Sequence, residues 1–184
     1  MIGFEKPGYT NTDRTLGLLK EAVDRLGVHQ VVVASTYGNT GLAAARLFEK
    51  SKTRVVVVTH NVGFKEPGVL EMTRETRAEI EALGAKVHTG TMAFRNIGTA
   101  IREKTGASQQ DLVANTLRLF GQGMKVCVEI VLMAADAGLI TPDDVLAVAG
   151  TARGADTLAL IKPASSNRLF ELKVREVLAK PREW

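Results

Sequence analysis

The sequence predicts an α/β domain: a three-layer α/β/α sandwich on a mostly parallel sheet, with an antiparallel C-terminal strand. Three observations predict it. The runs Val31–Ala34, Val55–Val58 and Val145–Ala149 are short, uncharged and apolar throughout, as strands buried on both faces are. The segments between them carry apolar residues at helical spacing. Short Gly- or Pro-containing connections join the two kinds of segment in the strand–helix–strand rhythm of a parallel sheet.

The elements follow in order. Asn11 or Thr12 caps a helix whose apolar positions are Leu16, Leu18, Leu19, Ala22, Val23 and Leu26, and Gly27 ends it. Val31–Ala34 is the first buried strand, Ser35–Gly41 a loop and Leu42–Lys50 a helix. Val55–Val58 is the second strand, closed by Thr59-His60-Asn61. Pro67-Gly68 introduces a helix that runs to about Leu83 and stops at Gly84, before the short strand Lys86–His88. Thr91–Ala107 reads as a weak helix interrupted by Gly98 and Gly106, suited to covering a ligand. Ser108 caps a helix to Phe120 with Asp111 in its first turn, Gly121-Gln122-Gly123 breaks it, and Met124–Ala137 resumes with few charges, as a helix packed on the sheet does. Val145–Ala149 is a buried strand, Gly150–Ala155 a loop, and Thr157–Ile161 a strand running back, since so short a connection cannot make a parallel crossover. The residues after Pro163 carry no clear pattern. One domain over residues 1–184 accommodates all of this.

Composition narrows the function. The net charge of +4 is spread along the chain, so neither nucleic acid nor a membrane surface is an expected partner. Cys127 is the one cysteine, which rules out an intrachain disulfide and fits a reducing compartment. No apolar stretch is long enough to span a bilayer, and Met1–Glu5 lacks the pattern of a signal peptide, so the expected location is cytoplasmic. Self-association into a homo-oligomer is left open.

The loops after the strands carry the chemistry. Ser35-Thr36-Tyr37-Gly38-Asn39-Thr40-Gly41 joins a buried strand to a helix, so its amides face out from the carboxyl edge of the sheet. A helix amino terminus offers unpaired N–H donors and a partial positive charge, which favours phosphate; the alternative is that Asn39 or Thr40 only caps the helix. Gly150-Thr151-Ala152-Arg153-Gly154-Ala155-Asp156-Thr157 is expected at the same edge, where open α/β sheets bind ligands. Arg153 offers a bidentate contact to phosphate or a stacking partner for a flat ring. Asp156 either accepts from a ligand hydroxyl or ring N–H, or holds the loop.

Thr59-His60-Asn61-Val62-Gly63-Phe64 and Thr89-Gly90-Thr91 should add polar groups to that site, with Phe64 and Met72 as an apolar slot or as anchors of the Gly63–Gly68 loop. His60 has no histidine at metal-ligand spacing, since only His29 and His88 accompany it, and no metal site is expected. No nucleophile with an adjacent base and orienting acid stands out, so His60 reads as a binding contact or a satisfied loop residue rather than a catalytic base. Lys125 either pairs with Glu129 one turn on or reaches a phosphate from the start of its helix.

Two segments together resemble the carboxyl-terminal domain of pyruvate kinase: Val31–Thr40 with Val55–Thr59, and Ala137–Ile140 with Asp144–Gly150, Arg153 and Thr157. Over its whole length the chain looks like stand-alone archaeal and bacterial pyruvate kinase α/β-domain proteins. Phe4-Glu5-Lys6-Pro7-Gly8, Gly63-Phe64-Lys65-Glu66-Pro67-Gly68, Phe120-Gly121-Gln122-Gly123 and Gly154-Ala155-Asp156-Thr157 carry that likeness. The resemblance implies a fold that binds flavin mononucleotide (FMN). It implies no pyruvate kinase activity, because the kinase's catalytic barrel has no counterpart here. Tyr37 departs from the kinase pattern, which has a small hydroxyl residue there and binds a sugar bisphosphate. Ser35–Thr40 is also similar to the phosphate loop of flavodoxins, which again implies FMN. The expectation is therefore a protein that binds a small phosphorylated ligand, with a metabolite sensor or an enzyme on a phosphorylated small molecule as alternatives.

Overall fold

The structure, a computed structural model, describes residues 1–184. Seven strands form one sheet: β1 (Ile2–Phe4), β2 (Gln30–Ala34), β3 (Arg54–Val58), β4 (Lys86–His88), β5 (Val145–Ala149), β6 (Thr157–Lys162) and β7 (Lys173–Pro181), in the order β1-β7-β6-β5-β2-β3-β4. The helices are α1 (Thr12–Leu26), α2 (Asn39–Phe48), α3 (Arg74–Ala82), α4 (Ile97–Thr105), α5 (Gln109–Arg118) and α6 (Gln122–Asp136). No helix is long and apolar enough to cross a membrane.

The centre of the sheet explains the valine runs. Val31 pairs with Val55 and with Leu146, and Val33 with Val57 and Val148, all in parallel register. Side chains alternate across a strand. Val31, Val33, Val55 and Val57 enter a core under α1, α2 and α3, whereas Val32, Val56 and Val58 enter a second core under α6. A strand with both faces covered has no polar alternation, so the unbroken runs and the three-layer fold have one cause. β4, β3, β2 and β5 are parallel neighbours, and β6 runs antiparallel to β5, from Val145↔Ile161 to Ala149↔Thr157, as expected.

The sheet is wider than the sequence pattern indicates. β6 is followed by β7, antiparallel to it with two register shifts, and β1 adds to β7 in parallel. β6 is therefore the only strand running against the others and is internal. Most of β7 is half-buried or exposed, so the periodic apolar signal that marks a core strand is weak there. β2 also starts earlier than expected, because buried Gln30 is held by Thr141: its Nε2 donates to Thr141 Oγ1 (2.9 Å) and its Oε1 accepts from the Thr141 amide (2.8 Å).

Three helix starts move as well, α6 among them, which opens at Gln122 behind Gly121 so that Gly123 lies inside it. Pro67-Gly68 does not open α3; those residues lie in a turn closed by the Val69 amide on Glu66 O (3.0 Å) and the Gly63 amide on Val69 O (2.9 Å). α3 begins instead behind Thr73, whose hydroxyl accepts from the Thr76 amide (3.2 Å). α2 begins at Asn39, ahead of Leu42, because Gly38 at φ +102° turns the chain directly into the helix.

α6 lies across the sheet and buries two charges. Lys125 is 3% exposed and Glu129 1%. They pair one turn apart, and Glu129 Oε1 also accepts from the Phe94 amide (2.8 Å). Burial pulls the Lys125 ammonium below its ordinary range, with Glu129 opposing. Burial likewise pushes the Cys127 thiol far up, and its Sγ faces Ala147 O at 3.5 Å.

Such a pair is costly to break and cheap to replace. Glu129→Leu should destabilise the fold by about 3–5 kcal/mol in urea denaturation, because it strands a buried ammonium. Adding Lys125→Met should restore most of that, leaving about 1–3 kcal/mol for the unpaired Phe94 amide.

Candidate functional site

Parallel register places the ends of β2, β3, β4 and β5 at one edge of the sheet. The loops after Ala34, Val58, His88 and Ala149 therefore open together. The loops 35–41 and 150–157 share this edge, as the sequence leads one to expect.

The first loop is built around anion-type donors. The Ser35 amide continues the ladder to Val58 O (2.9 Å), and Ser35 Oγ accepts from the Gly41 amide (3.0 Å). Leu42 N donates to Gly38 O (2.7 Å), closing the first turn of α2. Between those contacts the amides of Thr36, Tyr37, Gly38, Asn39 and Thr40 donate to no protein acceptor. Gly38 is required by packing as well as by its φ, for a Cβ there would lie 2.2 Å from Thr76 Cγ2. A side chain at Gly38 would thus strike α3 rather than an anion, so Gly38→Val tests folding, not phosphate binding. Exposed Tyr37 accepts from Lys65 Nζ at 2.5 Å, which holds the Lys65 ammonium above its ordinary range, with Arg153 weakly opposing.

His60 joins three segments. Its Nε2 lies 3.4 Å from Thr36 Oγ1 and its Nδ1 3.4 Å from Glu71 Oε1. The ring stacks on Phe64 with centroids 3.9 Å apart at a 34° tilt, and Arg95 covers Phe64 from 4.6 Å. Burial lowers the His60 pKa from its ordinary 6.5; Glu71 works against that and Arg95 with it. Burial thus favours the neutral imidazole. A carboxylate at Glu71 can only accept, so Nδ1 carries the proton and Nε2 accepts from the Thr36 hydroxyl. The Glu71 side chain is 7% exposed, and its Oε2 is buried without a partner.

Other expected residues take supporting places. Thr89 Oγ1 meets Thr59 Oγ1 at 2.7 Å, and Gly90 lies against His88, where a Cβ would come within 2.8 Å of Nε2. Thr91 is exposed beside them. Asn61 Oδ1 accepts from Asn96 Nδ2 (2.9 Å), while Asn96 Oδ1 accepts from the Met92 amide (2.5 Å). Asn96 has φ +40°, ψ −101°, a strained conformation held by those contacts. Gly63 turns the chain at φ +81°.

The second loop spends its best acceptor on itself. Asp156 is fully buried: Oδ2 accepts from the amides of Gly8 (2.9 Å) and Thr151 (3.0 Å), and Oδ1 accepts from Thr157 Oγ1 (2.8 Å). Of the two roles open to Asp156, the structure has it holding the loop. The Ala155 amide donates to Thr12 Oγ1 (3.0 Å), and Gly154 abuts Tyr9 and Thr12 so closely that a Cβ would overlap them. Gly150 is packed against Gly154 O in the same way. Ala152 sits at φ +66° and is exposed with Arg153, whose side chain is left at the rim. Thr151 Oγ1 is buried and unpartnered.

Two expected residues face elsewhere. Met72 is 2% exposed in the core under α1–α3, whereas Phe64 packs toward the α6 side, so they do not form a common slot. Lys125 is committed to Glu129 and lies 5.8 Å from the Phe94 ring, beneath the surface. Conversely, Glu71, Arg95 and Asn96 join this edge without any signal in the sequence, and Lys65 and the Gly8 amide join it from segments that stand out only by the family likeness. A separate cavity of about 300 Å³ opens elsewhere, between Ile140–Pro142 and Lys162–Ser165.

No family model matches the chain. Among solved structures, a pyruvate kinase from Cryptosporidium parvum is similar over 78% of this chain and 21% of its own, at 12% identity and a TM-score of 0.41. An O-ureido-L-serine synthase is similar over 54% of this chain and 31% of its own, at 21% identity and a TM-score of 0.34. The chain thus spans a fifth to a third of the proteins it matches, and neither likeness is close enough to bear on what it does.

The role of Asp156 is open to a direct check. Asp156→Ala strands the buried Thr157 hydroxyl and two part-buried amides and should cost about 2 kcal/mol or more, since a fully buried donor left unpaired costs roughly 1–3 kcal/mol and a part-buried one less. Asp156→Asn keeps an oxygen for the two amides and turns its NH2 to the Thr157 hydroxyl, which can accept. Its cost should stay below about 1.5 kcal/mol by urea denaturation.

Proposed function

We propose that this protein binds a small phosphorylated molecule at the carboxyl edge of the sheet, and that FMN is the ligand. The observation that carries this reading is the run of amides from Thr36 to Thr40 that lack protein acceptors. It opens α2, whose dipole adds partial positive charge, and Lys65 and Arg153 stand beside it. Successive unpaired amides at a helix start favour a doubly charged group over a neutral one.

FMN is favoured over a bare phosphosugar by the aromatic rings next to the loop. Phe64 is covered by His60 and Arg95, and the part-exposed His60 ring is the aromatic surface that a planar ring system would meet. The sequence resemblance to stand-alone pyruvate kinase α/β-domain proteins supports the same ligand. Any redox chemistry would be the flavin's own.

Calorimetric titration of FMN, riboflavin and fructose bisphosphate tests the reading. FMN should bind most tightly, riboflavin much more weakly for want of the phosphate, and fructose bisphosphate less tightly than FMN for want of buried ring area. Fructose bisphosphate binding best would replace the flavin with a metabolite-sensing role. Thr40→Val removes one hydroxyl donor from the loop at nearly constant shape. It should weaken FMN binding by about 1.5–3 kcal/mol, the worth of a hydrogen bond to a charged group.

A further inference from the structure

We infer that Thr36, His60 and Glu71 form a nucleophile–base–carboxylate relay with which this chain hydrolyses acyl esters of small molecules. The relay is assembled from two connections: Thr36 stands in the one after β2, and His60 and Glu71 stand eleven residues apart in the one between β3 and α3. Thr36 Oγ1 and Glu71 Oε1 each lie 3.4 Å from opposite nitrogens of one imidazole. These distances are loose, as such contacts often are before a substrate closes the site.

The third group is what separates this arrangement from a chance hydroxyl–histidine contact. Glu71 is nine-tenths buried, has no cationic side chain other than His60 within pairing distance, and keeps one oxygen without any partner. A buried carboxylate with half of its acceptors idle is costly. An imidazolium formed during catalysis would lower that cost, since its positive charge would sit against the carboxylate. The charged groups acting on His60 are Glu71, Arg95 and Glu129, and of these only Glu71 hydrogen-bonds to it. The amides of Tyr37 and Gly38, next after the hydroxyl and free of protein acceptors, are the candidate oxyanion donors.

The chemistry balances with water as the only co-reactant. Thr36 Oγ attacks the ester carbonyl carbon as its proton passes to His60 Nε2. The tetrahedral oxyanion collapses, the C–O bond to the alcohol breaks, and the His60 proton leaves with the alkoxide. Water then attacks the acyl-threonine, giving its proton to His60, which returns it to Thr36 Oγ as the carboxylic acid departs. Lys65, Arg95 and Arg153 around the loop favour esters that carry negative charge. The inference draws on amides that the proposed phosphate site would also use, so ester and FMN would compete for the loop, but it does not rest on FMN being the ligand.

Hydrolysis of p-nitrophenyl acetate by the intact chain, with peptide mapping of the acetylated protein, tests it. Turnover above the buffer rate and acetyl on Thr36 are expected. Thr36→Val should lower the rate about a thousandfold or to the buffer rate, and Thr36→Ser should restore it. The wild-type rate should rise with pH along a limb below 6.5, because the neutral imidazole is the active form and burial lowers its pKa. Glu71→Gln should cut the plateau about a hundredfold and move that limb to lower pH, since Glu71 holds the pKa up. A loss of packing alone would not move the limb in that way. Wild-type turnover no faster than buffer, or Thr36→Val as active as wild type, would overturn the relay. FMN titration of the same variants keeps the two readings apart: a protein that binds FMN yet never cleaves the ester loses only the relay.

Discussion

The parallel alignment of β5, β2, β3 and β4, with both faces buried, is the constraint on which the rest of the molecule depends. Val32 and Val33 in one strand serve two different cores, so no strand can slip by one residue without exchanging every side chain between layers. Fixed register in turn fixes where each strand stops. The four loops that follow these strands must emerge at one edge, within reach of one another, whatever residues they contain. Open α/β sheets gather their chemistry at that edge for this reason.

What differs among the loops is how fully they satisfy their own polar groups. The turn from β5 to β6 satisfies most of its own groups, the buried Thr151 hydroxyl excepted. Asp156 takes two amides and a hydroxyl, one of those amides coming from Gly8 at the far end of the chain, and Thr12 takes a third amide. The N-terminal segment is thereby tied across the sheet edge, which also docks β1 against β7. The Lys125–Glu129 pair is similarly complete, with the Phe94 amide filling the second carboxylate oxygen. Buried charge that is satisfied in this way serves the fold.

The loop from Ser35 to Thr40 and the residue Glu71 are not satisfied. Donors are left over at the start of α2, an acceptor is left over at Glu71 Oε2, and His60 lies between the two. Asn96, in a strained backbone conformation, steadies Asn61 at the same edge. Incomplete polar groups next to a part-exposed aromatic ring are what a ligand or a reacting group would complete. The proposed phosphate site and the proposed hydroxyl–imidazole–carboxylate relay both rest on that one imbalance.

The sequence by itself determined the layers, the central strands and the edge at which the loops converge. These follow from local facts: uncharged valine runs, helical apolar spacing, and a connection after Ala149 too short for a parallel crossover. It also marked Ser35–Thr40 as a place of free amides, because a strand-to-helix turn exposes amides regardless of tertiary context. Only the tertiary structure decided which polar residues remain free. Asp156 and Lys125 look like site residues in sequence, yet each is consumed by partners many residues away or beneath the surface. Glu71 looks like one more charge near a Pro-Gly turn, but the fold of the 62–72 loop buries it against His60. β7 and β1 escaped notice because half-exposed strands carry little apolar periodicity. Periodicity and turn chemistry act between neighbours along the chain and so can be read from it. Satisfaction of a buried polar group depends on which distant segments meet, and that is fixed only when the sheet closes.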